Sequence, residues 1–407
     1  MSVSRRAFLG GAGAAGAGLV AASCSSSRKS PAAADDVVAF HGANQAGIAT
    51  PPQDRLAFAA FDVMPGTTRA ELATLLRTWT DAAARMTAGL PVVPDDAARP
   101  EAPPQDTGEA AGLPAAHLTI TIGFGPSLFD DRFGLAHKLP AALARIPALP
   151  GDDLDPAISD GDICVQACAD DPQVAFHAVR NLRRLAFGTA ALRWFQLGFS
   201  KTSSTLTGTA TPRNLLGFKD GTNNITSDDH AGLAAHVWVG AETDQAWMKG
   251  GSYAVTRRIA MRLEAWDRDN LADQENVIGR HKISGAPLGA AAEHDAVPLT
   301  AKNADGTAVV PMDAHIRLAA PSENAGLRIL RRGYSFTDGT DPDTGELDAG
   351  LFFIAYQQDP RKQFVALQRK LGAHDALNEY IQHRSSAVFA VPPGTQPGGF
   401  VGEGLFA

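Results

Sequence analysis

A strand-like run leading into Asp-Pro and an amphipathic helix occurs twice in this chain, and that echo constrains the fold more than any other feature. Ile163–Ala169 runs into Asp171-Pro172-Gln173-Val174-Ala175-Phe176-His177-Ala178-Val179, and Leu351–Tyr356 runs into Asp359-Pro360-Arg361-Lys362-Gln363-Phe364-Val365-Ala366-Leu367. In both, Asp suits the cap of a first helical turn and Pro suits its first position, with Phe, Ala and an aliphatic residue following in register. The offset is 359 − 171 = 188 residues, about half of the 407-residue chain. Two copies of one α+β unit explain this economically. The expected division is 35–205 and 206–407, with the boundary in the Ser/Thr/Gly-rich stretch near 200–212.

The first 34 residues read as a targeting segment. Ser4-Arg5-Arg6-Ala7-Phe8-Leu9 has the form of a twin-arginine signal, and the apolar run from Gly10 to Ala22 is too short and glycine-rich to span a membrane stably. Export to an extracytoplasmic location follows, either periplasmic, at the cell envelope, or secreted. Ala21-Ala22-Ser23-Cys24 before a serine run resembles a loose lipobox, so Cys24 is a candidate lipid anchor. Ala32-Ala33-Ala34 is the alternative, a cleavage site that would release the chain. Removing residues 1–34 takes away four cations and no acid, moving the formal charge from −8 to −12. That argues against nucleic acid or an anionic membrane surface as partner and leaves any membrane contact to the Cys24 anchor. The sequence leaves a homo-oligomer open. Cys164 and Cys168 have a spacing poor for zinc or redox chemistry and read as buried free thiols.

Along the mature chain, Leu56–Val63 reads as a strand, and Thr68-Arg69-Ala70-Glu71 has the capping-box form that starts a helix. Leu72, Leu75, Leu76, Trp79, Ala83 and Met86 recur at helical spacing, predicting a helix over 69–87. Six prolines between 91 and 116 mark a surface excursion. Leu118–Ile122 alternates as a half-buried strand. The second half predicts a strand or strand pair over Tyr253–Trp266, a helix near 271–280, and a polar loop over 284–312. An alternating segment then opens at His315, followed by helices over 360–371 and 375–383 and an extended tail from Pro392.

The chemistry concentrates in three places. Gly217-Phe218-Lys219-Asp220-Gly221-Thr222-Asn223-Asn224 sets one carboxylate between glycines that let backbone approach a bulky ligand. A plain turn with an Asx cap is the alternative. His315 follows the polar loop, where a neutral imidazole is a candidate axial ligand of haem iron, or simply a structural histidine. No C-x-x-C-H sequence is present, so any haem is held non-covalently. Arg331 supplies a permanently charged guanidinium, although its alternative is a surface ion pair and Arg332 is an equal candidate. A carboxylate to move a proton and a cation to stabilise developing charge are what cleavage of a peroxide O–O bond requires.

Five stretches in order carry a family resemblance: Gly123-Phe124-Gly125-Pro126-Ser127-Leu128-Phe129, the G-x-x-D-G stretch, Trp247-Met248-Lys249-Gly250-Gly251-Ser252-Tyr253, His315-Ile316-Arg317, and Arg331-Arg332-Gly333-Tyr334-Ser335. Over the whole mature chain the protein resembles the dye-decolorizing peroxidases, within them the exported, twin-arginine-dependent group that includes a deferrochelatase. The resemblance implies a duplicated ferredoxin-like α+β fold, two antiparallel β-sheets flanked by helices, with haem b in the C-terminal half. It implies Asp220 as distal acid, His315 as proximal iron ligand and Arg331 as distal arginine. It also puts Gly221, Thr222 and Asn223, with Ala320, Pro321 and Ser322, against the haem. Asp359 is the expected partner of the second His315 nitrogen. The implied reaction reduces hydrogen peroxide and oxidises small aromatic or dye-like donors by one-electron steps. Trp266, Tyr334 and Tyr356 are candidate relays for bulky donors. Haem handling for iron acquisition, with iron released from haem, is the rival reading.

Overall fold

In a computed structural model, residues 36–93, 101–200, 211–342 and 344–407 are described. The twin-arginine segment, Cys24 and Ala32–Ala34, as well as the boundary stretch 201–210, lie outside them. Among the described residues, no helix is long and apolar enough to cross a membrane.

The N-terminal half runs β1 (Arg55–Val63), α1 (Arg69–Thr87), β2 (Thr119–Phe124), β3 (Ile163–Ala169), α2 (Pro172–Leu185) and β4 (Ala190–Phe199). Helix α1 starts where the capping box predicts: the Thr68 hydroxyl accepts from the Glu71 amide, and Glu71 accepts from the Thr68 amide. Asp171 caps α2 by accepting from the amides of Gln173 and Val174. The strands order β4-β1-β3-β2, all antiparallel.

The C-terminal half runs α3 (His230–His236), β5 (Ser252–Met261), α4 (Leu263–Trp266), α5 (Leu271–Ile278) and α6 (His315–Leu318). It continues through β6 (Leu330–Arg331), β7 (Tyr334–Thr340), β8 (Leu347–Gln357), α7 (Phe364–His374), β9 (Ile381–His383) and β10 (Ala387–Val391). Its order, β10-β5-β8-β7, repeats the first half strand for strand, with α7 in the place of α2. Strands β6 and β7 lie along one side of β8 as a single broken strand, and β9 and β10 do the same along β5.

The two antiparallel sheets join at both edges, each through one residue pair: Phe199 with Ser335, and Ala390 with Phe124. The ring of strands therefore closes. Its interior is an apolar core from both halves, including Phe58, Trp194, Phe352, Tyr356 and Phe389. Cys164 and Cys168 are free and buried, and they line this interior. Outside it, α1 and α2 cover the N-terminal sheet; Trp79 is fully buried and donates its indole N–H to the Leu182 carbonyl at 2.8 Å.

Several local expectations are corrected. Strand β2 is buried along its whole length rather than on alternate residues, because one face lies under α1 and the other faces the ring interior. Strand β5 stops at Met261, and the run to Trp266 is a helical turn. The second Asp-Pro copy does not cap its helix: Asp359 accepts from the Arg361 amide in a turn, and α7 begins only at Phe364. The run over 375–383 is a 3-10 turn, Ala376–Glu379, followed by β9. The segment opening at His315 is helical, with the Leu318 amide bonded to the Ala314 carbonyl.

Candidate active site

The outer face of the C-terminal sheet is only partly covered by α7. Beside it lies a cavity with about 1720 Å³ of atom-free space, part of it open to solvent. Its apolar walls include Ile259 and Met261 from β5, Leu351 and Phe353 from β8, and Leu367 and Leu371 from α7.

One wall is the G-x-x-D-G loop. Gly217 and Gly221 both hold positive φ, at 84° and 122°, which explains the glycines around Asp220. The Asp220 amide donates to the Pro212 carbonyl, and its Oδ1 accepts from Arg331 Nη1 at 2.6 Å. Burial works to raise the Asp220 pKa, but the Arg331 guanidinium outweighs it and holds the carboxyl below its ordinary value. Strand alternation separates the two arginines. Arg331 faces the cavity, whereas Arg332 turns into the ring interior and donates to the Thr50 carbonyl and Gln53 Oε1.

His315, on α6, lines the same cavity. Its Nδ1 lies 2.6 Å from Asp375 Oδ2, and Asp375 is itself fixed by the Leu377 amide on Oδ1. Burial disfavours the imidazolium, yet the Asp375 carboxylate overrides it and raises the His315 pKa. With Nδ1 held, Nε2 is the nitrogen left to coordinate a metal. Asp375, not Asp359, is thus the partner of His315. Asp359 is engaged by Arg361 and is not on the cavity wall. The available signal was Asp375 opening the turn Ala376–Glu379, where a capping carboxylate keeps one oxygen spare.

Gly221, Thr222, Asn223, Ala320 and Pro321 line the cavity, while Ser322 is not among its lining residues. Sequence reasoning missed Glu293. Lys219, Thr211 and Thr222 all bond to this carboxylate, and together they draw its pKa down to about 2 against the opposing effect of burial. It also missed Arg280, which lines the cavity and donates to the Gly285 and Glu293 carbonyls. Trp266, Tyr334 and Tyr356 are all buried, so none is itself a surface contact for a donor.

The donor set fits haem: a carboxylate-oriented imidazole, a carboxylate–guanidinium pair and apolar walls line one cavity. Among the described residues, no cluster of three His, Cys, Asp or Glu side chains is suited to a bare metal ion.

Comparison with known proteins agrees. The C-terminal model of the Dyp-type peroxidases matches residues 211–396 and the N-terminal model matches residues 45–200. The deferrochelatase of Escherichia coli (strain K12) is 40% identical over 374 residues, covering 90% of this chain and 86% of that protein. Ferric DtpA from Streptomyces lividans superposes with a TM-score of 0.85 at 41% identity, covering 91% of this chain and 97% of that one. A DyP-type peroxidase from Cellulomonas bogoriensis gives 0.83 at 40% identity, covering 91% and 98%. The chain belongs to the Dyp-type peroxidase family. It is a haem-dependent peroxidase that consumes hydrogen peroxide and oxidises organic donors, with haem b held non-covalently.

Proposed function

We propose that Asp220, Arg331 and His315 divide the work of this reaction, on the strength of one observation: the Asp220–Arg331 pair and the His315–Asp375 pair line the same cavity. Haem, once bound, would supply the iron chemistry for cleaving the O–O bond of hydrogen peroxide. His315 would hold that iron through Nε2, with Asp375 fixing the ring orientation and increasing its basicity. Asp220, kept ionised by Arg331, takes the proton from the near oxygen and passes it to the far one. Arg331 also stabilises the negative charge on the departing oxygen. Gly221, Thr222, Asn223, Ala320 and Pro321 form the walls that hold the cofactor, and small aromatic or dye-like molecules serve as donors. Asp220→Ala and Arg331→Leu are each expected to slow the reaction with peroxide by about 10²–10⁴-fold. Wild-type rates in both would overturn the assignment.

The 40% identity to a deferrochelatase favours a second reading, iron release from haem. Intact protoporphyrin left behind after anaerobic incubation with haem would identify it; peroxide turnover with the haem unchanged would set it aside. We also infer export by the twin-arginine route, anchoring through Cys24, and a division into repeats at 35–205 and 206–407. The echoed strand order supports that division.

A further inference from the structure

Strand β6 is two residues long, and its register against β8 leaves an edge. Leu330 pairs with Tyr356 and Arg331 with Ala355, while the Arg332 amide donates to the Ile354 carbonyl. In an antiparallel ladder that pattern turns the amide and carbonyl of Arg331 away from β8. Both need partners from elsewhere. One side chain supplies both: Asn224 Nδ2 donates to the Arg331 carbonyl at 2.6 Å, and Asn224 Oδ1 accepts from the Arg331 amide at 2.9 Å. The carboxamide thus takes the place of a neighbouring strand. Asn224 is itself anchored by its amide to the Gly221 carbonyl at 2.9 Å, one residue from Asp220.

We propose that Asn224 is the positioning residue of the Asp220–Arg331 pair, docking the backbone that carries the guanidinium onto the loop that carries the carboxylate. The pair draws its members from segments 111 residues apart, and their own contact is one 2.6 Å bond between flexible side chains. The Asn224 clasp is made to backbone and fixes where both side chains start. Only a primary carboxamide at this reach meets both groups. Aspartate keeps the acceptor but sets a carboxylate against the Arg331 carbonyl, and alanine leaves both backbone groups unmet.

The proposal rests on the roles given to Asp220 and Arg331, and a double-mutant cycle separates the two. Asn224→Ala is expected to slow the reaction of the haem-loaded protein with peroxide by about 10- to 100-fold, the usual cost of misplacing a reacting group by about 1 Å. In an Arg331→Leu background the same change should cost less than about 2-fold, because the group it positions is gone. Asn224→Asp should fall between wild type and Asn224→Ala, and it carries the test if the alanine variant does not fold. A readout without haem is the carboxyl titration of Asp220, followed by infrared difference spectroscopy against Asp220→Asn in the apoprotein. The charged groups acting on Asp220 are Arg331 from β6 and His315 from α6. Its loop neighbour Lys219 is held by Glu293. Loosening the Arg331 contact should move the Asp220 transition to higher pH. No effect of Arg331→Leu would sink the underlying roles. A full effect of Arg331→Leu with an equal, independent loss from Asn224→Ala, or an unmoved Asp220 transition, would overturn the positioning role alone.

Discussion

The two halves repeat one strand order yet treat the same sheet face in opposite ways. In the first half the outer face, with Ala57, Ala59, Phe61, Val165 and Ala167, is sealed under α1 and α2 by Leu72, Leu76, Trp79 and Leu182. In the second half, α7 occupies the place of α2, but no long helix takes the place of α1 among the described residues. The connection from β5 to β6 spends its residues on short helices and loops, and the face it leaves bare, with Ile259, Met261, Leu351 and Phe353, becomes the cavity wall. One copy keeps the fold stable, and the other spends its covering helix on a site. Each half also ties down its long excursion with one carboxylate. Glu109 holds Thr107, His177 and Arg180 in the first, and Glu293 holds Thr211, Lys219 and Thr222 in the second.

The sharpest way to break this contrast is to cut each half at its centre. His315→Ala should abolish the Soret band on haem titration and lower peroxidase activity by more than about 10²-fold, with little change in apoprotein stability. Trp79→Ala should do the reverse, costing about 3–5 kcal/mol in denaturant unfolding while the folded fraction keeps its haem spectrum. Equal loss of haem from both would mean that the halves are not specialised. A smaller effect is expected at the seam. A Cβ on Gly198 would lie 2.7 Å from the Tyr334 Cβ, beside the Phe199–Ser335 junction. Gly198→Ala should therefore cost about 1–3 kcal/mol, read as a lowered melting temperature.

The smallest effect concerns acid. The carboxyls of Glu109 and Glu293 are both drawn down to about 2, against burial, by their hydrogen-bonding partners. A folded-state value below the unfolded one of about 4.3 gives stability that is present above that pH and lost as pH falls toward 2. Glutamine at either position should flatten the acid limb of the stability curve. Only Glu293→Gln should also change the rate with peroxide, because only Glu293 grips the residues flanking Asp220.

What the sequence disclosed tracks how local each determinant is. The boundaries of α1 and β3 were legible because a capping box and an unbroken apolar run are written in consecutive residues. Motif order singled out Asp220, His315 and Arg331, and all three line one cavity. The choice between Arg331 and Arg332 was not legible, since it depends on which face of a two-residue strand turns outward. Asp375 was missed in favour of Asp359 because an Asp-Pro pair looks like the better cap, and only tertiary packing reveals which carboxylate comes within reach of α6. The clasp of Asn224 on Arg331 bridges segments far apart in the chain, with nothing nearby to signal it.

The closing of the strand ring has a consequence for the molecule outside the reaction. Each of its eight principal strands has a neighbour on both sides, and the short strands β6 and β9 only extend rows already formed. An open pair of ferredoxin-like sheets would present four long edges, each a template on which another chain could add a strand. Two seams of one residue pair each set these edges against one another in twos. Among the described residues, each copy thus faces its edge strands toward those of the other, which shields part of each edge from a further chain.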